Sequence, residues 1–257
     1  MLSLTVKKNT MKHYAILSLL FLVLLNSCKK DDSIEPIAVS KKLVKMSFAD
    51  PASTPYVIEY DAQGRVSRIQ EDDDEIITLT YNGNEVKVKA FRTSENREVF
   101  SFAGTLNAKG YLVQGTAISQ YNISTVTGQT ITYEYNQDGY MTKKTIATSQ
   151  GDVYVYEYTY SKGNMTAYKA YRNGNFEWGG TWEYSDTPAD KSNLNWEQFN
   201  FPNKFTGKTN KLLPSKYMAS SGWFVNYNYT IDNQGYVTSN TLTFDDGKVN
   251  KVFYTFE

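Results

Sequence analysis

The sequence predicts an all-β fold, an antiparallel up-and-down meander curved into a barrel-like or half-barrel sheet, with a short irregular or helical capping segment. Three observations predict it. Apolar and polar residues alternate with a period of two over most of the chain, and residues 153–160 read VYVYEYTY, the pattern of half-buried strands. Glycine turns of one recurring type separate these stretches. Aromatic residues make up 15% of the chain, 21 of them tyrosine, while the mean hydropathy is negative, a combination that suits sheets with one wet face and one aromatic face.

The chain opens with a targeting signal. Met11 and Lys12 precede an apolar run over residues 14–25, too short for a stable transmembrane helix but of the length of a secretory h-region. Met11 is the more natural start, with residues 1–10 an upstream extension. Leu25-Asn26-Ser27-Cys28 then place a small residue before the only cysteine, followed by Lys29-Lys30-Asp31-Asp32, the layout of a bacterial lipoprotein signal. Residues 1–27 are expected to be removed and Cys28 to carry lipid, each buried methylene contributing about 0.8 kcal/mol to membrane attachment. Residues 28–40, charged and then small around Pro36, read as a flexible tether. A dozen extended residues reach roughly 40 Å.

The composition of the remaining chain excludes several chemistries. The single histidine, His13, lies in the signal segment, and the single cysteine is the lipid acceptor. Serine-histidine-aspartate triads, cysteine-histidine dyads, thiolate or imidazole zinc sites and disulfides each need a group that is missing from residues 41–257. Loss of Lys7, Lys8 and Lys12 leaves 24 basic against 27 acidic residues, a formal charge of −3, unsuited to nucleic-acid binding. The roughly 217 residues from Lys41 onward are enough for one domain with an ordinary core.

Within residues 41–257 one turn recurs in full at Asp61-Ala62-Gln63-Gly64, Asn107-Ala108-Lys109-Gly110, Asn136-Gln137-Asp138-Gly139 and Asp232-Asn233-Gln234-Gly235. Shorter variants occur at Asn82-Gly83, Lys162-Gly163 and Asp246-Gly247. Asp or Asn opens each long copy, where its side chain can bond the backbone, and Gly stands where positive φ is needed. Unequal spacing between copies favours a meander over a solenoid, with roughly 14 to 16 strands at the usual lengths. Residues 186–214 break the rhythm with Pro188, Pro202 and Pro214 and read as an irregular capping insertion, with a helical turn expected over residues 193–199.

With the Cys28 lipobox, the repeated turns, the YEYTYSKGN segment over residues 156–164 and YNYTIDNQGY over 227–236, the chain resembles an uncharacterised family of Bacteroidetes lipoproteins described as having a porin-like fold. The turns are also similar to the tyrosine-aspartate repeats of toxin and adhesin shells. The resemblance implies a curved meander at the outer membrane, lipid-anchored and surface-exposed, and it carries over no catalytic residue.

Candidate sites are few. Glu71, Asp72, Asp73, Asp74 and Glu75 suggest calcium, but consecutive acids in a turn splay apart and read as a solvated hairpin tip. Glu157, Glu177, Glu183 and Glu197 could serve paired acid and base chemistry, yet any β surface of this size carries such residues, so a non-catalytic role without cofactor or metal is expected. Trp178, Trp182, Trp196 and Trp223, all in the C-terminal third, are the candidate ligand-binding residues. On a strand, Trp178 and Trp182 share a face as a sugar-stacking platform requires, although large aromatics ordinarily pack a core. The expected function is a non-catalytic surface binding or scaffold module with a glycan, a peptide or an envelope protein as partner. The alternatives are a membrane-spanning pore and a structural envelope module that pairs through a strand edge.

Overall fold

The computed structural model describes residues 41–257 apart from 51, 72, 123–124, 190 and 192–204. Cys28, the signal, the tether, Trp196 and the expected helical turn at 193–199 lie outside the described residues. The chain from Lys41 forms one compact unit.

Its strands are β1 (Leu43–Phe48), β2 (Tyr56–Tyr60), β3 (Val66–Gln70), β4 (Glu75–Asn82), β5 (Glu85–Arg92), β6 (Arg97–Leu106), β7 (Leu112–Asn122) and β8 (Thr125–Tyr135). The second half continues with β9 (Met141–Thr148), β10 (Val153–Ser161), β11 (Asn164–Arg172), β12 (Asn175–Pro188), β13 (Leu212–Ala219), β14 (Phe224–Ile231), β15 (Val237–Phe244) and β16 (Val249–Phe256). Each pairs antiparallel with the next, and β1 pairs with β16, so the sixteen strands close into a barrel. At the seam Lys42 and Glu257 exchange backbone hydrogen bonds of 2.6 and 2.9 Å.

An up-and-down order alternates the connections between two ends. Lys41, Glu257 and every even-numbered turn lie at one, here the terminal end. The odd-numbered turns lie at the far end. All four long copies of the recurrent turn, which follow β2, β6, β8 and β14, therefore fall at the terminal end. Their glycines have φ of 76°, 78°, 92° and 87° at Gly64, Gly110, Gly139 and Gly235. Asp61, Asn107 and Asp232 each accept two backbone N–H groups on one side-chain oxygen at 2.9 to 3.1 Å, and Asn136 accepts that of Tyr140 at 3.0 Å.

The irregular insertion is shorter than the proline count implies. β12 runs to Pro188 and β13 begins at Leu212, so the connection spans 189–211 rather than 186–214. Pro188 is the last residue of its strand and Pro214 sits opposite Tyr184 at a bulge, positions where a missing N–H breaks no regular ladder. The described part of this connection folds onto the terminal end. Phe205 is buried and its carbonyl accepts Leu112 N–H at 2.7 Å, Gly139 accepts Lys208 N–H at 2.9 Å, and Asn210 Oδ1 accepts Met165 N–H at 2.7 Å. A side chain at Gly207 would meet the Gly139 carbonyl and the Tyr135 ring, so glycine lets the segment lie flat on that turn.

Alternation decides what is inside. In β5, Val86 and Val88 are 0% and 1% exposed, while Glu85, Lys87 and Lys89 between them are solvent-facing. The same phase runs through β1 to β9, whose inward Met46, Ile58, Ile69, Leu79, Val86, Phe102, Leu112, Ile131 and Tyr133 form one core with Phe205. Gly104 and Gly115 pair across β6 and β7, and the space above them is taken by the Phe102 ring and by Leu112. A round barrel of this strand number leaves a water-filled channel. Here the interior of β1 to β9 is filled with side chains.

Outward, charges alternate in sign across strands. Glu134 pairs with Lys143, Lys143 with Glu157 and Glu157 with Lys169, a belt over β8 to β11. Lys143 to Glu134 at 3.2 Å, Arg68 to Glu59 at 2.7 Å and Lys89 to Glu98 at 2.7 Å are ion pairs on this outer surface. Each stabilises the sheet little, and they share this face with single exposed apolar residues such as Val57, Phe91, Ile118 and Phe253.

Candidate functional site

The inward face of β10 to β14 differs from the packed half. Partly buried aromatic residues stand on it among buried aliphatic ones such as Met165, Ala170 and Val225, and Trp178 and Trp182 are among them. Trp178 stands opposite Ala170, which is 1% exposed and itself opposite Tyr156, so all three face inward. Trp182 stands opposite Tyr217, and Tyr217 opposite Val225, a buried residue. The period of two brings Trp178 and Trp182 to one face, and Trp223 joins them from the turn between β13 and β14.

These rings line a wall toward the far end in two groups, Tyr156 with Trp178 and Tyr168 with Trp182, Tyr217 and Trp223. Tyr156 and Trp178 meet edge to face at 6.2 Å between centroids, Tyr168 and Trp182 at 5.3 Å, Trp182 and Tyr217 at 4.9 Å, and Tyr217 and Trp223 at 5.3 Å. Tyr168 and Tyr217 share a hydroxyl hydrogen bond of 3.1 Å, and burial together with that bond raises the Tyr168 pKa. Gly180 is what lets the wall lie flat, because a Cβ there would fall 2.3 Å from the Tyr217 ring. Trp178 and Trp223 remain 39% and 43% exposed. Aromatic faces that water reaches, beside polar hydroxyls, are the surface on which a sugar ring or a planar side chain stacks.

A cation, Lys144, lies beside this wall. Lys144 on β9 stands between Tyr133 on β8 and Tyr156 on β10, both inward, with its ammonium 4.5 Å from the centre of the Tyr156 ring. Desolvation lowers its pKa from 10.5 to about 8. Nothing in the sequence singled out Lys144, since KK at 143–144 looks like any charged pair. The register alone separates them, sending Lys143 out to Glu134 and Lys144 in.

The other candidates are placed as follows. Asp74, in the acidic turn between β3 and β4, accepts Ser94 N–H at 2.6 Å, the Ser94 hydroxyl at 2.7 Å and the Thr93 hydroxyl at 3.0 Å, bonds that hold its carboxyl below the usual range. Arg92 lies 3.7 Å from Asp74 and 3.8 Å from Glu75. The run thus ties neighbouring far-end turns together, and among the described residues no three acidic, histidine or cysteine side chains cluster as metal ligands do. Glu157 and Glu183 point outward opposite lysines, away from the wall. Glu197 and Trp196 lie outside the described residues.

No protein-family model matches the sequence, and no curated protein matches it. Among solved structures, a porin-like protein from Bacteroides uniformis superposes with a TM-score of 0.61 at 20% identity, covering 85% of this chain and 96% of the other. A porin-like protein from Bacteroides vulgatus superposes with a TM-score of 0.58 at 12% identity, covering 84% and 98%. At these identities the likeness is one of fold, and the chain is an all-β closed barrel of the same porin-like architecture.

Proposed function

We propose that the protein is a non-catalytic, lipid-anchored binding module of the outer membrane that captures saccharide or peptide segments on the aromatic wall of Trp178, Trp182, Tyr217 and Trp223. The observation that carries this reading is the direction of the alternation. The barrel turns most of its apolar and aromatic side chains inward, and its outward face mixes charges and threonines with single apolar residues such as Val57, Phe91, Ile118 and Phe253, which is not the continuous outward apolar band that a lipid-facing barrel needs. Membrane attachment then falls to Cys28. Lys41 enters the barrel at the terminal end, where residues 205–211 fold over the rim, and the aromatic side chains of Trp178 and Trp223 lie toward the far end.

A second reading, a membrane-spanning pore, has the strand number and the architecture of the porin-like neighbours in its favour. The outward charge belt and the side chains filling β1 to β9 weigh against it. Size exclusion with light scattering in detergent-free buffer separates the two. A monodisperse monomer that binds oligosaccharides, with affinity lost in Trp178→Ala and Trp223→Ala, supports the binding module. A species that needs detergent, changes mobility on heating and conducts ions in planar bilayers sinks it.

A further inference from the structure

We propose that the ligand of the aromatic wall is an anionic saccharide, whose carboxylate or sulfate group meets the Lys144 ammonium while its rings stack on Tyr156 and Trp178. The inference rests on the binding reading above and names the chemistry of that site. The Tyr156 ring links the two parts, with Lys144 at 4.5 Å and Trp178 at 6.2 Å from its centre. An acidic sugar presents the same juxtaposition, an apolar ring face with a charged substituent at its edge.

The charges around Lys144 leave it as the available one. Arg172 faces inward on β11 but is held by Asp152 at 2.7 Å, and Glu177, at the bulge of β12, adds to the negative field on Arg172. The groups flanking Lys144 on β8 and β10 are Tyr133 and Tyr156, both with pKa raised chiefly by burial and therefore neutral, and the Glu177 carboxylate adds to the negative field at Tyr156 without reaching ion-pair distance of Lys144. No carboxylate among the described residues lies within ion-pair distance of its ammonium. An inward cation with no counter-charge is costly to the fold, and groups of that kind concentrate where a ligand supplies the missing charge. The wall by itself would bind neutral and acidic sugars alike. Lys144 supplies the discrimination.

A panel of uronate-bearing and sulfated oligosaccharides, each paired with its carboxyl-reduced or desulfated counterpart, tests this with the purified protein and with Lys144→Met, Lys144→Arg and Trp178→Ala. Acidic members are expected to bind about tenfold or more tightly than their neutral partners, a preference erased in Lys144→Met and kept in Lys144→Arg. Which acidic members bind distinguishes carboxylate from sulfate. The preference of the wild type is expected to fade between about pH 7 and pH 10 as the ammonium deprotonates, and to persist in Lys144→Arg. Equal binding of acidic and neutral partners, unchanged in Lys144→Met but lost in Trp178→Ala, would overturn the anion site and leave the aromatic site standing. Absence of binding by any member of the panel would overturn both.

Discussion

Lys144 shows at the level of one side chain how position converts an ordinary residue into an unusual one. Lys143 lies on the outer face, 3.2 Å from Glu134, while its neighbour faces inward, partly buried between Tyr133 and Tyr156, and desolvation lowers its pKa to about 8. The folded value lies below the unfolded one, so the unfolded chain holds the proton more tightly between the two. The destabilisation is complete below about pH 8 and disappears as the pH rises through 10.5. Lys144→Met is therefore expected to be more stable than the wild type at neutral pH, by at most on the order of 3 kcal/mol. Denaturant titrations of both proteins from pH 6 to 10.5 check this, and a gap that stays constant with pH would refute the assignment of its cause. None of this was readable in the sequence, because two adjacent lysines on a strand are equivalent until the register says which one faces in.

At the scale of the element, the turns were the most legible part. Asp or Asn followed three residues later by Gly is a local code, since the side-chain oxygen and the positive φ act within five residues. Asn107→Ala removes the acceptor of Lys109 and Tyr111 N–H and is expected to cost about 1 kcal/mol in urea unfolding at any pH. The turns opened by Asp61 and Asp232 behave differently. Backbone N–H groups, with Arg65 at Asp61, hold both carboxylates below their ordinary pKa of 3.8, so the stability they confer is present above that value and lost as the pH falls through the lower folded one. The gathering of all four turns at the terminal end escaped the sequence reading because it depends on the parity of strands between them. The prolines misled in the other direction. Their clustering puts Pro188 and Pro214 in the insertion, yet a strand end and a bulge accommodate both.

For the whole molecule the decisive contact is the seam between β1 and β16, which join residues more than two hundred positions apart, as in Met46 with Tyr254. Closure removes the two open edges that a meander would otherwise present to other chains. Deletion of residues 249–257 leaves β1 and β15 each with an unpaired edge, and light scattering is expected to show concentration-dependent oligomers where the full chain stays monomeric. Retention of a monomer would mean that the remaining fifteen strands close without β16. The same closure gives the alternation its meaning. A period of two says that each strand has two unlike faces, and only a closed sheet makes one of them an interior.

The sequence by itself determined that the chain is all β, where it turns, which residues share a face, and that imidazole and thiol chemistry have no place in its domain. Those are consequences of local periodicity and composition, written into neighbouring residues. The tertiary structure decided that the sheet closes at sixteen strands, that Trp182 and Trp223 pack on Tyr217, and that Trp178 packs on Tyr156 beside Lys144. Strand count, register and the sense of inside belong to contacts between distant segments, and their free energy is shared across every hydrogen-bonded pair around the barrel rather than held by any one stretch of chain.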